Sequence, residues 1–308
     1  MTFPIAEVYS LTTIDDRTLF FTGEYFLQSI NGLGMPPIDY QTRQGYKQQG
    51  SSVVAYSLKE RAIQLAITTT TNQERSEFWR ERSRILDYLR PNRGTDGLGN
   101  ELTLTIRRAD NTKRAIKCRY NGGLEFADND IQENSFMINE VVRLQAFNPI
   151  WYDTAIIDNA PSASVDTDLV FPITFPITFG TEGTVFTTAD LTYEGTWRSY
   201  PTITIQGPYS TCRLENTGSG AVITLLVPIA STEQRIITLS EEGFSVVDGI
   251  GVSKFNELGE GSNLIGFDIR PESELVAGTT QRLKANLVGG VAGASTVTFS
   301  YYTRFIGI

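Results

Sequence analysis

Apolar residues recur at every second position through most of this chain and at helical spacing in only one stretch. In Arg61-Ala-Ile-Gln-Leu-Ala-Ile-Thr, Ile63, Leu65 and Ile67 alternate with Gln64 and Ala66, the period of a half-buried strand. Ser52-Val-Val-Ala-Tyr-Ser-Leu ahead of it is also strand-like, and Leu19 to Leu27 reads as strand, turn, strand. Asn31-Gly-Leu-Gly-Met-Pro-Pro breaks the pattern. Glycines and two adjacent prolines leave no room for a regular element, so a loop is expected there. Leu102-Thr-Leu-Thr-Ile-Arg-Arg and Arg114-Ala-Ile-Lys-Cys-Arg-Tyr flank Asp110-Asn111 and predict a hairpin. Phe136 to Phe147 predicts a further strand, with Val141, Val142 and Leu144 in the core, ending at Asn148-Pro149.

The helical exception runs from about Asn72 or Gln73 to Arg90. Thr71 or Asn72 can cap it, and Glu74 and Glu77 sit in the early turns, where the helix dipole favours negative charge. Phe78, Arg82, Ile85, Leu86 and Leu89 share one face at helical spacing. Pro91 and Gly94 end it. Its arginines interleave with Glu74, Glu77, Glu81 and Asp87, which predicts a salt-bridged exposed face and not a nucleic-acid stripe.

Between 148 and 190 the character changes. Asp153 to Asp168 is rich in Asp, Ala and Ser, and Phe171-Pro-Ile-Thr-Phe-Pro-Ile-Thr-Phe follows. Two prolines four apart cannot both sit in a central strand, so 151–190 is expected to be an extended arm or linker. From Thr192 onward short strands follow one another with glycine-marked turns and no helix, the pattern of an antiparallel β-sandwich. The expected fold class is mainly β: an N-terminal β-rich domain with one helix over 1–150, the arm over 151–190, and a sandwich over 191–308.

Composition narrows the function. With 17 Phe and 13 Tyr, plus threonines throughout, the chain is built for pleated sheets. It has no histidine. That removes Ser-His-Asp and Cys-His catalysis, and histidine-based zinc sites. The net charge of −9 opposes tight binding to nucleic acid or anionic lipid. Cys118 and Cys212 are the only cysteines and are expected to be buried and unpaired. Met1-Thr-Phe-Pro-Ile-Ala-Glu lacks the features of a signal peptide, and the longest apolar run, Ala221 to Ala230, is too short to cross a bilayer. A soluble protein that does not insert in membranes is expected.

Motifs for chemistry are missing. No P-loop is present, and Gly249-Ile-Gly251 and Gly97-Leu-Gly99 lack the dinucleotide-site context. Asp128-Asn-Asp130 lacks the glycine and distal glutamate of a calcium loop. No catalytic, cofactor-binding or metal residue is expected, and no enzyme activity. Trp151, Tyr152, Trp197 and Tyr200 could stack on a sugar ring, although aromatics in β proteins are more often core.

The order of features resembles the distal tail protein family of long-tailed bacteriophages, over most of the chain. In the first half it rests on the early hairpin, the Gly/Pro loop, Leu58-Lys-Glu-Arg61-Ala-Ile-Gln-Leu-Ala-Ile, and the single helix ending in Leu89-Arg-Pro91. Arg119-Tyr-Asn-Gly-Gly-Leu-Glu and Leu144-Gln-Ala-Phe-Asn-Pro149-Ile-Trp-Tyr follow. In the second half it rests on Tyr200-Pro201-Thr-Ile-Thr-Ile-Gln-Gly207-Pro, Leu214-Glu-Asn216-Thr-Gly218, Asp248-Gly249, Asn263-Leu-Ile and Leu275-Val-Ala-Gly278. The chain departs from the family at the turn after Ile237-Thr-Leu239-Ser, which lacks an Asp, and at Ala277, where a proline is common.

The resemblance implies a structural protein of the virion tail tip, assembled in the host cytoplasm. Its first domain would form a ring, commonly a homohexamer, and its second would be a galectin-like sandwich. Implied partners are other copies of itself, the tail tube protein, and a tail-associated hub or fibre protein. In some members receptor-binding proteins attach at the periphery. DNA would be met only in transit. With the resemblance, the apolar loop makes Leu33, Met35, Pro36 and Pro37 candidate oligomer contacts. The competing expectation is a loop folded back on its own domain. Two other classes stay open: a carbohydrate-binding sandwich, and a glycosidase built on carboxylates alone.

Overall fold

The structure, a computed structural model, describes residues 7–22, 25–71, 75–93, 99–125, 136–160, 163–165, 183–276 and 279–308. The Asp128-Asn-Asp130 turn, the tandem Phe-Pro-Ile-Thr repeat and Ala277 lie outside the described residues. The chain divides into two compact units. Unit 1 is Met1–Thr154 together with Phe305–Ile308, and unit 2 is Ala155–Arg304.

Unit 1 contains β1 (Val8–Thr12), β2 (Thr18–Phe20), β3 (Tyr25–Asn31), β4 (Ile38–Arg43), β5 (Ser52–Leu58), β6 (Arg61–Thr71), α1 (Arg75–Leu89), β7 (Leu102–Arg107), β8 (Lys113–Gly123) and β9 (Phe136–Ala146). The start of β10 (Trp151–Asn159) completes it. Strands β2, β1, β7 and β8 pair in that order, all antiparallel, and Tyr152 and Asp153 of β10 pair with the first half of β8. The far half of β8 turns to β9, which pairs with β6, which pairs with β3. One strand thus feeds two groups, and the switch needs a bulge, seen between Tyr120 and Gly123. Gly123 has φ +93°, and a Cβ there would lie 1.8 Å from the Val141 carbonyl oxygen, so only glycine fits. Inward positions of both groups, among them Leu11, Leu104, Ile116, Ile63, Leu65 and Leu144, form one buried core.

The period-two segments fold as read, except that Val141, expected in the core beside Val142 and Leu144, is exposed because it alternates to the outer face of β9. The β7–β8 hairpin turns at Asp110-Asn111, where Asn111 takes φ +65° and Asp110 accepts from the backbone and hydroxyl of Thr112. The helix differs in its buried face. Ile85 and Leu89 are buried as expected, but Leu86 is exposed, and Arg82 lies over the Trp79 ring. The buried row is instead Glu81, Ile85, Tyr88 and Leu89. It can include a carboxylate because Tyr25 donates its hydroxyl to Glu81 and satisfies it there.

Unit 2 contains the rest of β10, then β11 (Ala163–Val165), β12 (Gly183–Asp190), β13 (Thr202–Gln206), β14 (Thr211–Asn216), β15 (Ala221–Leu225), β16 (Gln234–Leu239), β17 (Phe244–Asp248), β18 (Arg282–Gly290) and β19 (Thr296–Phe305), the last ending one residue into unit 1. Strands β17, β16, β13 and β19 pair in one antiparallel row, and β11, β12, β18, β14 and β15 in another. Ile203, Ile237, Val246 and Phe299 from the first row share one core with Leu214, Ile223, Leu283 and Leu287 from the second. This is the sandwich that the alternation predicts.

The domain division differs from the expectation in two places. Segment 151–190, read as an arm, holds β10, β11 and β12, and Val185 of β12 is fully buried in the sandwich core. Its Asp, Ala and Thr content hid strands whose pairing is supplied by distant partners such as β18. The last four residues belong to unit 1, so unit 2 is an insertion in unit 1. Both cysteines are buried and free. Burial pushes the Cys118 thiol up to about 12 and raises that of Cys212 as well, so neither is a reactive thiolate.

Candidate functional site

Nothing among the described residues looks like a reaction centre. No cluster of acidic or thiol side chains there is placed to hold a metal ion, and no helix is long and apolar enough to cross a membrane. Of the aromatics considered for sugar stacking, Trp151 is fully buried in the core of unit 1. Trp197 donates its ring N–H to Glu241. The surfaces of interest are those suited to contact.

The Gly/Pro loop between β3 and β4 places the four candidate residues unequally. Leu33 packs against the unit 1 core and Pro36 is buried, whereas Met35 is 65% exposed and Pro37 is exposed. The loop is held from beneath by Arg61, which is only 2% exposed. Its guanidinium donates to the carbonyl oxygens of Gly32 at 2.8 Å, Pro149 at 2.9 Å and Ile306 at 2.7 Å, and also to that of Gly34. Burial pulls the Arg61 pKa down to about 10, which still leaves it charged at neutral pH. Ile308 adds a backbone hydrogen bond to the Leu33 carbonyl. Gly32 has φ +92°, and a Cβ there would be 2.2 Å from the Ala62 carbonyl oxygen. The loop is a fixed part of the fold that offers Met35 and Pro37 outward.

The β4–β5 hairpin beyond it is the larger surface. The two strands pair only with each other among the described residues, and no residue of either is buried. Tyr40, Val53, Val54 and Tyr56 are exposed along it, and Tyr46 at the tip is 94% exposed. A two-stranded ribbon with both faces in water is marginal by itself. Its tip is nonetheless ordered by side-chain amides: Gly45 donates to Gln48, Gln44 donates to the Gln48 carbonyl, and Gln48 donates to Ser52. Sequence reading marked Ser52 to Leu58 as strand but missed its exposure. The available signal was its partner, Ile38-Asp-Tyr-Gln-Thr-Arg, which is too polar to bury a face.

A cleft of about 480 Å³ lies elsewhere on unit 1, lined by Glu60, Pro91, Asn100, Arg119, Gln145 and Phe147 among others. Asn100 is 4% exposed and donates its amide N–H to the Tyr88 carbonyl at 2.8 Å, while its Oδ1 has no hydrogen-bond partner among the described residues. That hydrogen bond fixes the orientation of the amide, so the orphan atom is an acceptor. Gln145 donates to Glu60 at the rim, and Phe147 is 58% exposed.

The described residues thus offer a clamped loop, a ribbon with both faces exposed and a cleft, all on unit 1. No protein-family model and no curated protein matches the sequence. Solved structures do. The chain is similar to the SPP1 Dit protein, whose structure is described as a paradigm of hub adsorption apparatus in Gram-positive infecting phages. The TM-score is 0.65 at 12% identity, over 97% of this chain and 99% of that one. A chain of the phage P2 baseplate in its activated conformation with Ca is similar at TM-score 0.50 and 9% identity, over 96% of this chain and 98% of that one. At these identities the fold is what is shared: the chain has the fold of a phage Dit protein along nearly its whole length.

Proposed function

We propose that this chain is a structural, non-catalytic subunit of the tail tip of a long-tailed bacteriophage: a distal tail protein that joins tail tube to baseplate. The observation that carries the reading is the match to the SPP1 Dit protein, which is nearly complete in both directions. A shared module would cover one of the two units; this likeness covers both. In this reading unit 1 assembles with itself into a ring, a hexamer by the family resemblance. Unit 2, as a galectin-like sandwich, points to tail-tip and receptor-binding partners. The unburied ribbon supports self-assembly, since a stable protein covers such a surface with a partner. Electron microscopy of the purified protein should show closed rings with a central opening. Uniform monomers across the accessible concentration range would defeat the ring.

DNA would cross this ring without being held. The chain carries −9 net charge, and several arginines of unit 1 are committed internally. Arg93 pairs with Asp15 and Asp87, and Arg17 also pairs with Asp87. Arg114 pairs with Asp153 at 2.7 Å while its guanidinium lies over the Phe305 ring. Phosphate binding needs cations that are clustered and available. Duplex DNA should therefore show no measurable affinity for the assembled protein at physiological salt, where charges are screened beyond about 8 Å. Tight binding under those conditions, lost on replacing Arg107 or Arg108, would show a gripping surface instead.

A further inference from the structure

We infer that Asn121-Gly122 is a site of spontaneous backbone modification, where the asparagine closes to a succinimide and reopens as aspartate or isoaspartate, and that the clamp on the Gly/Pro loop shields the chain's other Asn-Gly pair from the same fate.

The chemistry is intramolecular. The backbone nitrogen of the following residue bonds to the asparagine Cγ, and ammonia leaves. Water then opens the ring at either carbonyl. One opening gives aspartate; the other gives isoaspartate, with the main chain rerouted through Cγ. Glycine in the second position favours ring closure, because no side chain hinders the attacking nitrogen and the backbone turns freely. Asn-Gly occurs twice in the chain, at Asn31-Gly32 and Asn121-Gly122. Both asparagines are exposed, so exposure does not separate them. What differs is how firmly each peptide is held.

Asn31 ends β3 in register with Gln64. Gly32 is backed by the Ala62 carbonyl so closely that a Cβ would lie 2.2 Å from its oxygen, and its own carbonyl accepts from Arg61 at 2.8 Å. Swinging the Gly32 nitrogen onto the Asn31 side chain breaks these contacts. Asn121 and Gly122 instead form the bulge of β8. The register passes from Tyr120↔Leu144 to Gly123↔Val142 and skips both residues. Gly122 takes φ +113°, with open space where a Cβ would stand. The Asn121 amide meets Gln145 Oε1 at 3.4 Å, a long hydrogen bond. This peptide turns without displacing a packed neighbour.

The product alters this corner of unit 1 in two ways. A carboxylate at 121 has no N–H to offer Gln145, whose own amide N–H goes to Glu60 at 2.9 Å, so a second negative charge stands beside that pair. Isoaspartate also lengthens the main chain between Tyr120 and Gly123, where β8 passes from its partner β7 to its partner β9.

The test holds the full chain in warm, mildly alkaline buffer and follows it by peptide mass mapping over several days. The peptide containing Asn121 should gain the mass of exchanging NH for O and accept label from an isoaspartate methyltransferase. It should do so at least ~10-fold faster than the peptide containing Asn31, since reaction at a held site waits on local opening. In urea strong enough to unfold the chain, the two sites should convert at similar rates. Asn121→Ser should abolish the change in its peptide. Arg61→Met should speed conversion at Asn31 and leave Asn121 as it was; should that variant not fold, the comparison of folded and urea-unfolded parent decides alone. Equal rates in the folded protein, an Asn121 that stays intact, or the same difference persisting in urea would overturn the proposal. Asn31 unmoved in a folded Arg61→Met variant would overturn the shielding by the clamp.

Discussion

Replacing Arg61 with methionine should cost unit 1 about 3–5 kcal/mol, because each buried carbonyl left without a donor costs about 1–3 kcal/mol. Four carbonyl groups from three distant parts of the chain converge on this guanidinium, those of Gly32, Gly34, Pro149 and Ile306. Methionine fills much of the volume but donates nothing, so each carbonyl is left to find water in a closed place. Lysine should fail almost as badly, because one ammonium cannot reproduce the planar fork that spreads its donors over four acceptors. Thermal unfolding should show the midpoint falling by roughly 10 °C. A variant within 1 kcal/mol of the parent would mean that the loop is held by packing alone. Hydrogen exchange should place the added opening at 31–37, because those residues have the fewest other ties.

Unit 2 has an ionic counterpart whose response should differ in kind. Arg235 on β16 and Glu257, in the turn Phe255–Glu257, are both buried and joined by two hydrogen bonds of 2.6 and 2.9 Å. The hydrogen bonds to Glu257 raise the Arg235 pKa, which keeps the guanidinium charged. Glu257→Gln should destabilise unit 2 by about 3–5 kcal/mol, because it leaves a buried cation without its counter-charge. The double replacement Arg235→Met with Glu257→Leu should recover most of that loss, since neither desolvation cost remains. Chemical denaturation of the two singles and the double closes the cycle. A double variant as unstable as the sum of its singles would mean that the two residues are not coupled and that neither single loss comes from stranding a charged partner.

How far the sequence revealed this depends on what each element leans on. The β7–β8 hairpin was readable because alternation and an Asp-Asn turn lie within a few residues of each other. The sandwich strands were readable for the same reason. Strand β12 was not, because its partner β18 lies about a hundred residues on and its own Thr-rich sequence carries little apolar signal. The buried face of α1 was misplaced by one position because Tyr25, fifty-six residues upstream, lets Glu81 take a core site that Leu86 seemed to claim. Arg61 gave no warning at all. Heading an apolar strand, it looks like any solvated flank until the segments it binds are brought together. The ribbon was seen as strand and not as surface, since local pattern reports pairing while exposure depends on what else is near. The candidate loop was found, but only Met35 and Pro37 of its four residues face out.

Inserting one unit in the other also sets a clock on synthesis. A ribosome reaches residue 154 with every strand of unit 1 made, yet Ile306 and Ile308, which brace the Arg61 loop, are still to come. Between them lies the whole of Ala155–Arg304, roughly eight to thirty seconds of translation at ~5–20 residues per second. Through that interval the nascent first unit lacks its closing brace, and the sandwich too waits for β18 and β19, which pair with its earlier strands. The loop over Arg61 should therefore reach its full stability only once translation has passed residue 308. A chain truncated within Ala155–Arg304 should keep the loop at 31–37 loose, because Ile306 and Ile308 are missing.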